Sequence, residues 1–101
     1  MLSIGGYIKL ILRKRNMSVA ELARVMTAQE RKNGSATTIY KTHLNAEIKN
    51  DKISIAKARK IEIALDLPKF QLVNLIKPNL TKELIEVLEN VYKKELKNEQ
   101  Y

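Results

Sequence analysis

Apolar residues recur along this chain at the three- and four-residue spacing of α-helices, and the alternation typical of β-strands is nearly absent. The first predicted helix runs from about Ser3 to Arg15, and its apolar stripe consists of Ile4, Ile8, Ile11 and Leu12. Basic residues occupy its last turn, where they complement the helix dipole. Asn16 follows and suits the left-handed conformation that ends many helices.

The second predicted helix has the clearest start signal in the chain. Ser18 and Glu21 form an S-x-x-E capping box, in which each side chain accepts a hydrogen bond from the backbone N–H of the other residue. Met17 and Leu22 flank this box at the positions of a hydrophobic contact that fixes how the chain enters the helix. The helix therefore has a defined start, and its predicted buried face contains Leu22, Ala23 and Met26.

A third helix is predicted from Tyr40, Leu44 and Ile48, because their spacing of four residues forms an inward-facing stripe. Thr37 or Thr38 can cap this helix. Tyr40 is expected to be a core anchor because of its spacing to Leu44. The outward positions are Lys41, Thr42, Asn45 and Lys49, with His43 near the boundary.

Three further helices are predicted. The fourth begins at Ser54 and ends at Leu67-Pro68, because the residue before a proline is disfavoured in the α conformation. Pro68 suits the first turn of the fifth helix, whose apolar residues are Phe70, Val73 and Ile76. The sixth covers about Thr81 to Lys97 and has an apolar stripe that includes Leu84, Ile85, Leu88, Val91 and Tyr92.

Composition excludes several kinds of site. The chain has no cysteine and one histidine, so we expect no thiolate zinc site, no histidine metal cluster and no catalytic triad. No phosphate-binding glycine loop is present, and Glu47 and Asp51 are interpreted as surface charges. We therefore predict a single domain of 101 residues that is not an enzyme and needs no cofactor or metal.

Membrane and export signals are not found in the sequence. No apolar run approaches the ~20 residues of a membrane span. The basic residues near the start follow the apolar ones, the reverse of a signal peptide. A cytoplasmic location without membrane contact is the prediction, and the missing cysteines fit a reducing compartment.

Charge is distributed unevenly along the chain, whose net charge is +8. Residues 1–60 hold thirteen Lys or Arg against four Asp or Glu, a net charge of +9. Residues 61–101 hold six against seven, a net charge of −1. A basic front half favours a polyanionic partner, and the alternative is that these lysines and arginines serve only solubility.

Two segments resemble a known family. Met17 to Ala23 (MSVAELA), preceded by a basic amphipathic helix, resembles the start of the helix-turn-helix in the Cro and phage-repressor (XRE-type) DNA-binding family. Leu44 to Leu67 resembles the end of that family's recognition helix, its basic loop and its fourth helix. The resemblance implies an all-α, five-helix, lambda-repressor-like domain over residues 1–77, and the apolar spacing predicts an additional C-terminal helix over 78–101.

The resemblance also implies how DNA would be bound, with the third helix in the major groove and the second helix crossing the backbone. The implied base contacts are the outward residues early in the third helix, namely Thr38, Lys41, Thr42, His43 and Asn45. Lysine can donate to guanine, asparagine can pair with adenine and threonine can contact the thymine methyl. For His43 a structural role is favoured over base contact. The expected phosphate contacts are Ser18, Lys49, Asn50 and Lys52.

Residues 27–36 depart from the family pattern. The family's turn is only a few residues long, whereas here about ten extra polar residues precede the third helix. Either the second helix continues to about Lys32, or an extended loop projects outward, with a turn at Asn33-Gly34. Arg31 and Lys32 then either contact DNA or are solvated, and the sequence does not favour one over the other.

The charge distribution and the resemblance predict a sequence-specific transcriptional regulator, a repressor that binds an operator as a homodimer. The C-terminal helix is the expected dimer element, or else it completes the core of the monomer; its predicted contact residues are Leu84, Leu88, Val91 and Tyr92. A second hypothesis is a protein-binding module, such as an antitoxin or a regulatory adaptor. RNA binding is a third, and the absence of a predicted exposed aromatic platform disfavours its single-strand modes.

Overall fold

The computed structural model describes residues 3–76, and this part of the chain folds into five helices with no strand. They are α1 (Ile4–Lys14), α2 (Val19–Lys32), α3 (Lys41–Lys49), α4 (Ile55–Ala64) and α5 (Val73–Ile76). The all-α prediction is confirmed for these residues. None of the described helices is long and apolar enough to cross a membrane. The predicted C-terminal helix and its dimer contacts, Leu84, Leu88, Val91 and Tyr92, lie outside the described residues.

The predicted starts of α1, α2 and α4 are confirmed. Ser3, Ser18 and Ser54 are the N-cap residues of α1, α2 and α4, and each serine side chain accepts a hydrogen bond from a backbone N–H in the first turn. Both halves of the Ser18–Glu21 capping box are present. Asn16 has a φ of 54°, as expected for a left-handed stop after α1.

The core lies where α1 packs against α3 and where α2 packs against α3 and α4. The predicted stripes of α1 and α2 contribute to it, and Met17 packs against its edge. The largest fully buried apolar side chains are Ile8, Leu22, Leu44, Ile48, Ile61, Leu65, Leu72 and Val73. Each helix therefore buries one face and leaves the opposite face to solvent.

The extra residues before α3 are accommodated by a longer second helix. Of the two alternatives, α2 does continue to Lys32, and residues 35–40 then run in an irregular segment to α3. Glu30, in the added turns, is only 4% exposed, and its Oε1 lies 2.7 Å from the Nζ of Lys60 on α4. Because this ion pair joins α2 to α4, the extension is part of the packed domain.

The start of α1 touches the end of α3 directly. The N–H of Gly5 donates to Asp51 Oδ1 at 2.8 Å. A Cβ at position 5 would lie 2.0 Å from the carbonyl oxygen of Ile48, so no larger residue fits without movement of the backbone. Asp51 has a φ of 55° and follows α3. Asp51 is exposed, as predicted for a surface charge, and its carboxylate also accepts a hydrogen bond at the N-terminus of α1.

The predicted start of the fifth helix was wrong. Pro68 does not lie in its first turn; a turn with Phe70 at a φ of 67° intervenes, and α5 begins at Val73. The carboxylate of Glu62 binds this turn from α4. Glu62 is 0% exposed, and its oxygens accept hydrogen bonds from the backbone N–H groups of Phe70, Leu72 and Val73.

Candidate nucleic-acid interface

Helix α3 has one buried face and one polar face. Leu44 and Ile48 are 0% and 1% exposed and anchor the helix against α1 and α2. The other positions on its outer side are exposed: Lys41, Thr42, His43, Asn45, Ala46 and Lys49. Four of the five predicted base-contacting residues are therefore solvent-exposed on α3, namely Lys41, Thr42, His43 and Asn45.

Tyr40 is the main correction to the sequence analysis. It was expected in the core, but it is 60% exposed. Helix α3 begins one residue later than the stripe suggested, so Tyr40 is its N-cap and its side chain lies off the buried face. Its ring packs edge-on against that of His43, with the centroids 5.8 Å apart. An exposed aromatic pair therefore exists where none was predicted.

The predicted caps of α3 were also wrong, since neither Thr37 nor Thr38 occupies that position. Both lie in the irregular segment before the helix. The Arg31 side chain donates to the carbonyl oxygens of Ser35 and Thr37 and to the hydroxyl of Thr38. Thr38, expected early in the recognition helix, therefore precedes it and is bound to Arg31.

A second set of hydrogen bonds fixes the segment at its α3 end. The N–H of Ile39 donates to Thr27 Oγ1 at 3.0 Å, and that hydroxyl donates to the carbonyl of Ala23 at 2.8 Å. The buried Ser35 accepts a hydrogen bond from the N–H of Thr37. Because the Thr27 hydroxyl joins Ile39 to α2, the start of α3 has a fixed position relative to α2.

The remaining predicted contact residues occupy three places. Lys49, Asn50 and Lys52 are exposed at the end of α3 and in the loop after it. Ser18 is exposed at the start of α2, where the Ser18 hydroxyl and N–H both bond with Glu21 in the capping box. Lys32 is exposed at the end of α2.

A groove runs between α2 and the start of α3. Its volume is about 590 Å³, and most of its lining is apolar. Arg24 and Arg31 from α2 and Lys41 from α3 contribute the charged groups of the lining, and no acidic residue lines it. Glu47, the acidic residue of α3, forms an ion pair with Lys57 at 3.3 Å. The charged groups of the groove lining are therefore all positive.

The exposed face of α3 carries hydrogen-bonding side chains and cations. Within residues 3–76, no group of three or more His, Cys, Asp or Glu residues could hold a metal ion. No protein-family model, curated protein or solved structure matches this chain.

Proposed function

We propose that this protein is a sequence-specific DNA-binding regulator that binds the major groove of double-stranded DNA through α3. The observation that carries the proposal is the exposed row of Lys41, Thr42 and Asn45 on a helix whose opposite face is fully buried. Lysine, threonine and asparagine are side chains that form hydrogen bonds or apolar contacts with base edges. A helix of this diameter fits the major groove of B-DNA.

Phosphate contacts are assigned to the ends of this surface. At the end of α3 and in the loop after it lie Lys49, Asn50 and Lys52. From there they can neutralise the phosphates of one DNA strand or donate hydrogen bonds to them. In this arrangement the N-terminus of α2 approaches the phosphates on the other side of the major groove, where Ser18 contacts a phosphate in exchange for its capping-box bonds to Glu21. The net charge of +9 over residues 1–60 supplies the long-range attraction to DNA.

The regulator is proposed to act as a homodimer on a two-fold symmetric operator. Two recognition helices would then enter successive major grooves about 34 Å apart. The apolar stripe predicted from the sequence beyond Thr81 supplies the self-association surface. Occupation of the operator by the dimer is the simplest mode of repression.

Replacing Asn45 by alanine tests the proposed base contacts. We expect Asn45→Ala to weaken binding to a selected target duplex by roughly 1–3 kcal/mol, with little effect on random DNA of the same length. Asn45 is exposed, so the variant should melt at the wild-type temperature. Asn74→Ala, at an exposed asparagine of α5, is the matched control and should leave both affinities unchanged. Equal losses on target and random duplexes would exclude Asn45 from base contact.

Replacing Lys49 by alanine tests the proposed phosphate contacts. The variant should lose affinity to a similar degree on target and random duplexes. The slope of log K against log salt should fall in magnitude by about 0.9, because one fewer counterion-releasing contact is made. Fluorescence anisotropy titrations over a range of salt concentrations measure this slope. An unchanged slope would remove Lys49 from the phosphate-contacting set.

A further inference from the structure

We propose that Tyr40 is a specificity-determining residue, whose ring contacts a thymine methyl group in the major groove at the start of α3. This inference rests on the proposed DNA-binding function and extends it to a residue that sequence analysis assigned to the core. Tyr40 and Leu75 are the exposed large hydrophobic residues among residues 3–76, at 60% and 39% exposure. Tyr40 immediately precedes Lys41 and Thr42 on the polar surface.

The backbone on both sides of Tyr40 is held in place. The N–H of Ile39 is bound to Thr27, and the carbonyl of Tyr40 accepts the first hydrogen bond of α3 from Leu44 at 3.0 Å. The edge-on contact with His43 restricts the ring on one side. Tyr40 thus projects an apolar group in a defined direction, and little side-chain freedom is lost on binding.

The charges around Tyr40 favour DNA over an apolar protein surface as its partner. Lys41 is its neighbour in the chain, and Arg24 lies across the groove that Tyr40 helps to line. No acidic residue lines that groove. An aromatic ring that shares a groove lining with Arg24 and Lys41 suits a base edge flanked by phosphates, because the cations can pair with phosphates while the ring contacts the thymine methyl.

The test begins with duplexes selected by wild-type protein from a random double-stranded pool. Tyr40→Ala should bind the selected duplex about tenfold more weakly and random duplex within about twofold, since the loss falls on a base contact. Tyr40→Phe keeps the ring and should stay within about twofold of wild type on both duplexes. All three proteins should melt at similar temperatures, because the side chain is exposed.

Thymine-to-uracil replacement, one position at a time, identifies the contacted methyl group. At one position the replacement should weaken wild-type binding about fourfold, which is the change in affinity expected when one methyl-sized group is no longer buried. The same replacement should have no effect on Tyr40→Ala. The assignment is overturned if thymine-to-uracil replacement weakens the binding of Tyr40→Ala as much as that of wild type. It is also overturned if Tyr40→Ala loses affinity equally for target and random duplexes, or loses more affinity for single-stranded than for duplex DNA. Failure of wild-type protein to bind any duplex would instead contradict the proposed function.

Discussion

Replacing Glu62 by alanine should destabilise the domain by about 3–5 kcal/mol, the usual cost of removing one partner from a buried, hydrogen-bonded charge pair. Its Oε2 accepts from the N–H groups of Leu72 and Val73 at 2.7 and 3.1 Å. Its Oε1 accepts from the N–H of Phe70 at 3.1 Å and from Arg59 Nη1 at 3.2 Å. Truncation therefore leaves several buried donors without their acceptor and opens a cavity beneath α5.

Urea denaturation followed by circular dichroism measures this effect. A loss of this size is a large share of the roughly 5–15 kcal/mol that stabilises a typical domain, so the urea midpoint of the variant should fall well below that of the wild type. Glu47→Ala is the matched control, because Glu47 is half-buried and pairs with Lys57 at the surface. It should cost no more than about 1 kcal/mol. Equal stability losses for the two variants would contradict the role assigned to Glu62.

Replacing Gly5 by alanine should cost at least about 3 kcal/mol, the upper end of the usual cost of overpacking. The added Cβ would lie 2.0 Å from the Ile48 carbonyl oxygen and 2.5 Å from Asp51 Oδ1. The nearer atom belongs to the backbone of α3, so α1 has to move away from α3. That movement also lengthens the hydrogen bond from the Gly5 N–H to Asp51.

Gly6→Ala separates this clash from ordinary helix propensity. Gly6 is the next residue of α1 and is partly exposed. Alanine there should change stability by no more than about 1 kcal/mol, in the stabilising direction, because it lowers the entropy of the unfolded chain. Thermal melts of both variants give the comparison. A Gly5→Ala protein as stable as wild type would show that α1 and α3 are not in close contact.

The sequence predicted the features that depend on neighbouring residues. Ser3, Ser18 and Ser54 cap helices because a serine side-chain oxygen accepts a hydrogen bond from a backbone N–H two or three residues later. Both partners lie within a few residues of each other, so the cap can be recognised in the sequence. The stripes of α1 and α2 were predictable for the same reason. The exposed positions Lys41, Thr42 and Asn45 followed from the periodicity of Leu44 and Ile48.

Features that depend on distant contacts were missed. Tyr40 continues the apolar spacing of α3, but hydrogen bonds from α2 to the preceding segment place the helix start one residue beyond it. Glu62 resembles a surface residue until its N–H partners, eight to eleven residues later, are known. Gly5 gave no signal, because its contact is with Ile48 on another helix.

Selection of bound sequences from a random double-stranded DNA pool is the most direct test of DNA binding through α3. The full-length wild-type chain is used at moderate salt, with Asn45→Ala carried through in parallel. The wild type should enrich a palindromic motif with half-sites about 10 base pairs apart, and Asn45→Ala should lose preference at one position of each half-site. A folded wild-type protein that enriches no motif would contradict the proposal.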